Sequence, residues 1–205
     1  WIFLHGLGQA PSAWQPVLRR LEPELTVHCP SLPELAAGDP RYPALLSALE
    51  TALGSIPGPL HLCGLSLGGV LAMDYALRHP ERVASLVLCG TPLTMPRNLL
   101  RLQDFLFRLM PERAFAGSGF SREAMRQLAG SMAELDLRPR LPELSCPVLV
   151  LCGSKDRANR KAARELAEQL PQARLHWIAG AGHEANLDSP EVMAELLRGF
   201  YQSLS

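Results

Sequence analysis

The sequence carries no excess charge of either sign. Its 20 Lys and Arg balance 20 Asp and Glu over 205 residues, so the bulk balance offers nothing to nucleic acid or to an anionic membrane. Long hydrophobic runs are also missing. The longest, "VASLVLC" and "CPVLVLC", fall far short of the roughly 20 apolar residues that a membrane span needs. No secretory leader pattern is legible. Cysteine is sparse and odd in number: Cys29, Cys63, Cys89, Cys146 and Cys152. No CxxC pair and no His/Cys cluster occurs among them, so neither a zinc site nor a disulfide framework is expected. The five read as small buried residues in a reducing, cytoplasmic setting. Internal repeats, low-complexity stretches and linkers are absent, and one domain over residues 1–205 is expected.

What is present is alternation. "WIFL", "TVHC", "LHLC", "VASLVLC", "VLVLC" and "RLHWI" each have the length and apolar continuity of a buried strand. Amphipathic stretches separate them. One stripe is Trp14, Val17, Leu18 and Leu21. A second is Leu45, Leu49 and Leu53, and a third is Ala163, Leu166, Ala167 and Leu170. The last helix opens with Ser189 as cap and Pro190 at its first position. Near-continuous apolar strands alternating with helices predict an α/β fold: a mostly parallel sheet of about six strands with helices on both faces.

One connection breaks this rhythm. Residues 91–145 hold no strand signal and fit two or three helices. In "NLLRLQDFLFRLM", Arg101, Asp104 and Arg108 share one narrow helical face and the rest is apolar. Such a face is wider than one core contact requires. It suits a helix wedged between two others, or a lid over a pocket. A lid at about residues 93–142 is the expectation, because the insertion follows a strand whose C-terminal end borders any ligand crevice. Phe105, Phe107, Met95 and Met110 are candidates for its lining.

The chemistry begins at "LHLC-GLSLGG-VLAMDYAL". This reads as strand, sharp turn, helix, and Gly-x-Ser-x-Gly in that context is a nucleophile elbow. Ser66 would project above the sheet, with Gly64 and Gly68 lacking side chains where the turn is crowded. A serine hydroxyl needs a base, and the base needs an orienting acid. "VLVLCGSKDRAN" supplies Asp156 just after a strand, and "WIAGAGHEANLDSP" supplies His183 before the last helix. Both fall at the sheet edge where Ser66 lies. Asp136 and Asp188 follow no strand, Asp74 and His79 belong to the helix after the elbow, and His28, His61 and His176 lie inside strands. "WIFLHGLGQ" places Leu7 in a glycine-rich loop after the first strand. The backbone N–H groups of Leu7 and Leu67 would form an oxyanion hole, with His5 as a structural residue bonding the loop.

These segments, "LHGLG", "CGLSLGGVLAMDYALRHPERVASLVLCGTP", "CPVLVLCGSKD" and "GAGHEANLDSPE", resemble the α/β-hydrolase superfamily in order and spacing. The resemblance covers nearly everything outside residues 91–140. It implies Ser66 as nucleophile, Asp156 as orienting acid, His183 as base, Leu7 and Leu67 as backbone donors, and the insertion as a cap. It also implies two further strands before the "LHG" strand in fuller members; this chain opens at that strand. Around the elbow it is similar to the small carboxylesterase branch that includes the pimeloyl-carrier-protein methyl ester esterases.

A serine hydrolase of a carboxylic ester or thioester is therefore expected, working through an acyl-enzyme without metal or cofactor. Its substrate would be a small-molecule ester, free or bound to a carrier protein that the cap arginines Arg97, Arg101, Arg108 and Arg113 could meet. Nucleic acid is not an expected partner. Two other readings stay open here. One is a C–C hydrolase or lyase resembling the menaquinone-pathway synthase, against which Val70 counts where that group often has arginine. The other is a non-catalytic binding module, for which an intact triad is unnecessary. Ser66 at the elbow argues against haloalkane dehalogenases and most epoxide hydrolases, which need aspartate there.

Overall fold

The computed structural model describes residues 1–21, 25–95 and 97–204, with the side chains at 97–99 and 101–102 excepted. Five strands form one sheet in the order β1-β2-β3-β4-β5, every neighbouring pair parallel. They are β1 (Ile2–Leu4), β2 (Leu60–Leu65), β3 (Val83–Cys89), β4 (Val148–Gly153) and β5 (Ala173–Ile178). The helices are α1 (Gln15–Leu18), α2 (Leu32–Leu35), α3 (Tyr42–Gly54), α4 (Leu67–Arg78), α5 (Arg97–Leu109), α6 (Arg122–Ser131), α7 (Arg160–Gln169), α8 (Ala185–Asp188) and α9 (Pro190–Gln202). None of them is long and apolar enough to cross a membrane among the described residues.

Two apolar layers hold the sheet. Ile2, Leu4, Leu62, Leu86, Leu88, Val148 and Val150 point to one face, where α3, α4, α6 and α7 pack. Phe3, Cys63, Leu65, Val87, Leu149 and Leu151 point to the other, under Trp14, Val17 and α9. With both faces covered, β2, β3 and β4 need apolar residues at nearly every position, which is why they read as continuous runs.

Among the described residues the expected six strands are five. "TVHC" makes only an isolated parallel bridge, His28 to Ile2. Its backbone bonds are the Phe3 N–H to the His28 carbonyl at 2.9 Å and the His28 N–H to the Trp1 carbonyl at 2.8 Å. The segment lies outside β1 at the sheet edge, where Thr26 and His28 are exposed. "RLHWI" is a strand but not a buried one. β5 is the opposite edge, and Arg174, His176 and Trp177 are exposed.

The step from β1 out to His28 runs opposite to the step from β1 to β2. Parallel connections are right-handed, so a reversal of direction sends the two crossovers to opposite faces. Hence Trp14 and Val17 lie on one side and α3 on the other. Such a reversal opens a crevice at the carboxyl ends of the strands concerned. Here those ends are Leu4 and Leu65, immediately before the His5–Gly8 loop and Ser66.

The long connection between β3 and β4 carries α5 and α6 joined by short 3₁₀ turns. Leu100 is buried and Phe107 partly so, whereas Phe105 and Leu109 are 57% and 67% exposed. The wide apolar face of α5 is thus covered on one side only. Ser189 stands at the N-cap of α9, but its hydroxyl makes no capping bond.

Candidate active site

Ser66 occupies the turn between β2 and α4 at φ 54°, ψ −115°, among the described residues the only non-glycine with positive φ. An L-residue there is strained and persists only where its surroundings fix it. The Ser66 N–H donates to the Cys89 carbonyl at 2.9 Å, and its own carbonyl accepts from the Val70 N–H at 3.0 Å. The flanking glycines permit the turn through close approach. A methyl on Gly64 would stand 2.2 Å from the Gly68 carbonyl oxygen, and one on Gly68 2.1 Å from that of Leu4. Gly68 therefore serves the contact with β1 rather than the turn alone.

Asp156 and His183 lie on the loops after β4 and β5, and the structure brings them together. His183 Nδ1 is 2.8 Å from Asp156 Oδ2. Asp156 is buried. Burial, the largest single influence, pushes its carboxyl up, but hydrogen bonds from His183 and Asn159 outweigh it and hold the group below its ordinary value. The bond to Asp156 raises the His183 imidazole above its ordinary 6.5, against the opposing effect of burial. Nδ1–H donates to the carboxylate, which leaves Nε2 free to accept a proton.

Ser66, His183, Leu7, Gly8 and Leu67 line one cavity of about 620 Å³. Leu7 sits in the turn closed by the Gln9 N–H to the Gly6 carbonyl at 3.1 Å. Leu67 opens α4, at the positive end of its dipole. No described residue accepts a hydrogen bond from the Leu7 or Leu67 amide. His5 is fully buried and holds the loop. Its Nδ1 bonds the Gly6 carbonyl at 3.0 Å and its Nε2 accepts from the Leu32 N–H at 3.2 Å. Burial lowers its pKa, which suits a neutral structural imidazole.

Several of the other acids and histidines are engaged elsewhere. Asp74 accepts from Tyr42 and Arg78, Asp136 from Arg138, and Asp188 from the Gly182 N–H at 2.7 Å. His61 pairs with Ser85, and His79 with Glu50. Met95, Phe107 and Met110 line the cavity as expected; Phe105 does not. Of the arginines in the expected cap, Arg108 is paired with Asp104 at 2.9 Å. Arg97 and Arg101 lie outside the residues whose side chains are described.

Three residues escaped the sequence reading. Asn159 Nδ2 donates to Asp156 Oδ2 at 2.9 Å and lies 3.2 Å from His183 Nδ1. Its signal is the spacing Asp-x-x-Asn after a strand. Gly90, at φ 52°, runs so close that a methyl there would meet Asp156 Oδ2 and His183 Nδ1, each at 3.1 Å. Gln9 is buried and ties two loops together. Its Oε1 accepts from the Gly6 N–H at 3.3 Å, and its Nε2 donates to Glu184 Oε1 at 3.0 Å and Asn186 Oδ1 at 3.2 Å. Nothing in the local sequence marks it.

A serine on a strained strand-to-helix turn, with an Asp–His pair from two later loops in chain order, is the arrangement of one superfamily. Residues 1–196 match the model of the Alpha/beta hydrolase family. This chain belongs to that family. Among its curated relatives is the pimeloyl-[acyl-carrier protein] methyl ester esterase of Aromatoleum aromaticum, 30% identical over 96% of this chain and 95% of that protein. The protein of the same name from Aeromonas hydrophila is also 30% identical, over 97% and 94%. Solved structures agree on the fold. A thermophilic esterase from Thermogutta terrifontis superposes with a TM-score of 0.78 at 21% identity, covering 99% of this chain and 89% of that one. An enol-lactonase from Burkholderia xenovorans gives 0.79 at 21%, covering 98% and 91%. The expectation of an α/β-hydrolase of the carboxylic ester hydrolase kind agrees with these relatives.

Proposed function

We propose that this α/β-hydrolase cleaves a carboxylic ester through an acyl intermediate on Ser66. The observation that carries the reading is the 2.8 Å His183–Asp156 contact at the rim of the cavity that Ser66 also lines. In the first half-reaction, His183 Nε2 takes the Ser66 proton as Oγ attacks the ester carbonyl. The Leu7 and Leu67 amides stabilise the resulting oxyanion; one such donor is worth roughly 10²–10³ in rate. Collapse breaks the ester C–O bond, and the alcohol leaves with the proton from His183. Water then attacks the acyl carbon, gives its proton to the same nitrogen, and releases the acid and Ser66. No step calls for a metal or organic cofactor.

The acyl chain would lie under residues 93–142, acting as a cap. Leu93, Leu100, Phe107, Phe115, Met125 and Met132 give the cavity an apolar lining, and its volume suits a medium-length chain. We assign as substrate class a methyl ester on a carrier-protein-bound acyl chain, the class named for the two curated relatives. Five unpaired thiols support a cytoplasmic site of action.

The test is a chain-length series of p-nitrophenyl esters on the native chain and Ser66→Ala. Turnover that is lost in the variant, with an optimum at medium acyl length, is expected. Full turnover in Ser66→Ala would overturn the assignment, and turnover of β-diketones but not esters would move it to C–C bond hydrolysis.

A further inference from the structure

The chain is neutral, yet its charge is not evenly spread. Residues 155–164, "KDRANRKAAR", hold Lys155, Arg157, Arg160, Lys161 and Arg164, five of the chain's 20 Lys and Arg. All five are exposed. The one acid in the stretch, Asp156, is buried against His183. None of the five cations makes an ion pair with a described carboxylate.

The cap differs. There Arg108 pairs with Asp104, Arg122 with Glu112, Arg126 with Asp104 and Glu123, Arg138 with Asp136, and Arg140 with Glu143. Arg113 makes no described ion pair.

The order of charges along α7 also opposes its dipole. Arg160 and Lys161 occupy the first turn, which has no acid, while Glu165 and Glu168 fall in the second half. Cations at an N-terminus, and Lys161 four residues before Glu165, are both the unfavourable orientation. Glu165 accepts from Gln169 Nε2 at 3.2 Å rather than pairing with Lys161. For Lys161 no described contact offsets this order, and a local rule broken without such a gain points to function.

Position supplies the rest. Lys161 lines the mouth of the cavity that holds Ser66 and His183. Arg160 and Arg164, one turn apart, hold their guanidinium groups 5.5 and 5.6 Å from the ring centre of Trp177 on β5. Trp177 is 38% exposed. A cationic strip thus runs from the cavity mouth to the open β5 edge. We propose that this strip docks the acidic face of the carrier protein that presents the ester. This rests on the carrier-bound substrate class proposed above.

The test uses the full chain with Ser66→Ala, so that ligand is not consumed, and a fluorescently labelled acyl-carrier protein bearing the pimeloyl methyl ester. Affinity is measured at low and physiological salt. Arg160→Glu/Arg164→Glu is compared with the cap variant Arg101→Glu/Arg113→Glu. The proposal expects the α7 reversal to weaken binding by about tenfold or more at low salt and to flatten its salt dependence. The cap variant should bind within about twofold of the parent. With native Ser66, the α7 reversal should turn over a free p-nitrophenyl ester as the parent does, which shows that the fold and site are intact. Loss confined to the cap variant, or equal binding by all forms, overturns the proposal. So does binding to phosphatidylglycerol vesicles with none to the carrier. Each of these leaves ester hydrolysis standing, because the free-ester assay tests that separately.

Discussion

Gly153 ends β4 directly beneath the loop that carries His183. A methyl placed there would stand 2.0 Å from the Gly182 carbonyl oxygen and 2.6 Å from that of Ala181. Real contacts of this kind do not fall below 3.0 Å, so Gly153→Ala must displace the loop, or the strand end, by about 1 Å. His183 is the next residue along. Its bond to Asp156 is 2.8 Å, and 1 Å more would take it beyond the range of a hydrogen bond. A 1 Å misplacement of a reacting group costs roughly 10² in rate. We expect Gly153→Ala to lower kcat on a p-nitrophenyl ester by about that factor. Circular dichroism should show the secondary structure retained, and the low-field proton resonance of the His183 Nδ1–H should be lost or shifted. A variant with native kcat and that resonance unmoved would refute the reasoning, since the clash would then relax without reaching the histidine.

Further expectations follow from the same geometry. Asp156→Asn removes the acceptor that raises His183, and kcat should fall by about 10⁴. Because Nε2 must be unprotonated to act, kcat/KM of the native chain should rise with pH through an apparent pKa above the ordinary 6.5 of histidine. The residual activity of Asp156→Asn should rise at lower pH, and an unchanged profile would contradict the assignment. The same shift has a sign for stability. Protonated His183 is favoured in the fold, so this contribution is complete below the unfolded pKa and lost as pH rises through the folded one; urea titrations of His183→Gln against the native chain would measure it. Gln9→Leu leaves the Gly6 N–H and Asn186 without their buried partner, a cost of about 1–3 kcal/mol. If the clamp positions both loops, kcat should fall more than KM rises, and Gln9→Asn should not restore it. Ala129, which lines the cavity, offers a length test: Ala129→Leu should move the acyl optimum to shorter chains.

Much of this site was legible because its parts are local. The elbow at Ser66 is a contiguous strand, turn and helix, and Asp156 and His183 each follow a strand run with loop residues around them. What was not legible depends on neighbours distant in sequence. "TVHC" has strand composition, but among the described residues it meets β1 through the single His28–Ile2 bridge. "RLHWI" carries Arg174 and His176 where β3 and β4 have no such residue, and its place at the edge leaves Trp177 exposed as well. Phe105 and Phe107 are two residues apart on one helix, and the cavity receives the second alone. Gln9 bonds Glu184 and Asn186, more than 170 residues away, and no local pattern encodes such a clamp. Charge was the most deceptive quantity. A net of zero conceals five exposed cations at 155–164 with no described ion pair, one of which, Lys161, lines the cavity.

The central claim is that Ser66 is the acylated nucleophile. The most direct measurement is intact-mass and peptide mass spectrometry after treatment with a fluorophosphonate, on the native chain, Ser66→Ala and His183→Gln. The account predicts one covalent adduct per native chain, located on Ser66, none on Ser66→Ala, and slow labelling of His183→Gln. An adduct on any other residue, or ester hydrolysis that survives full labelling, would contradict it.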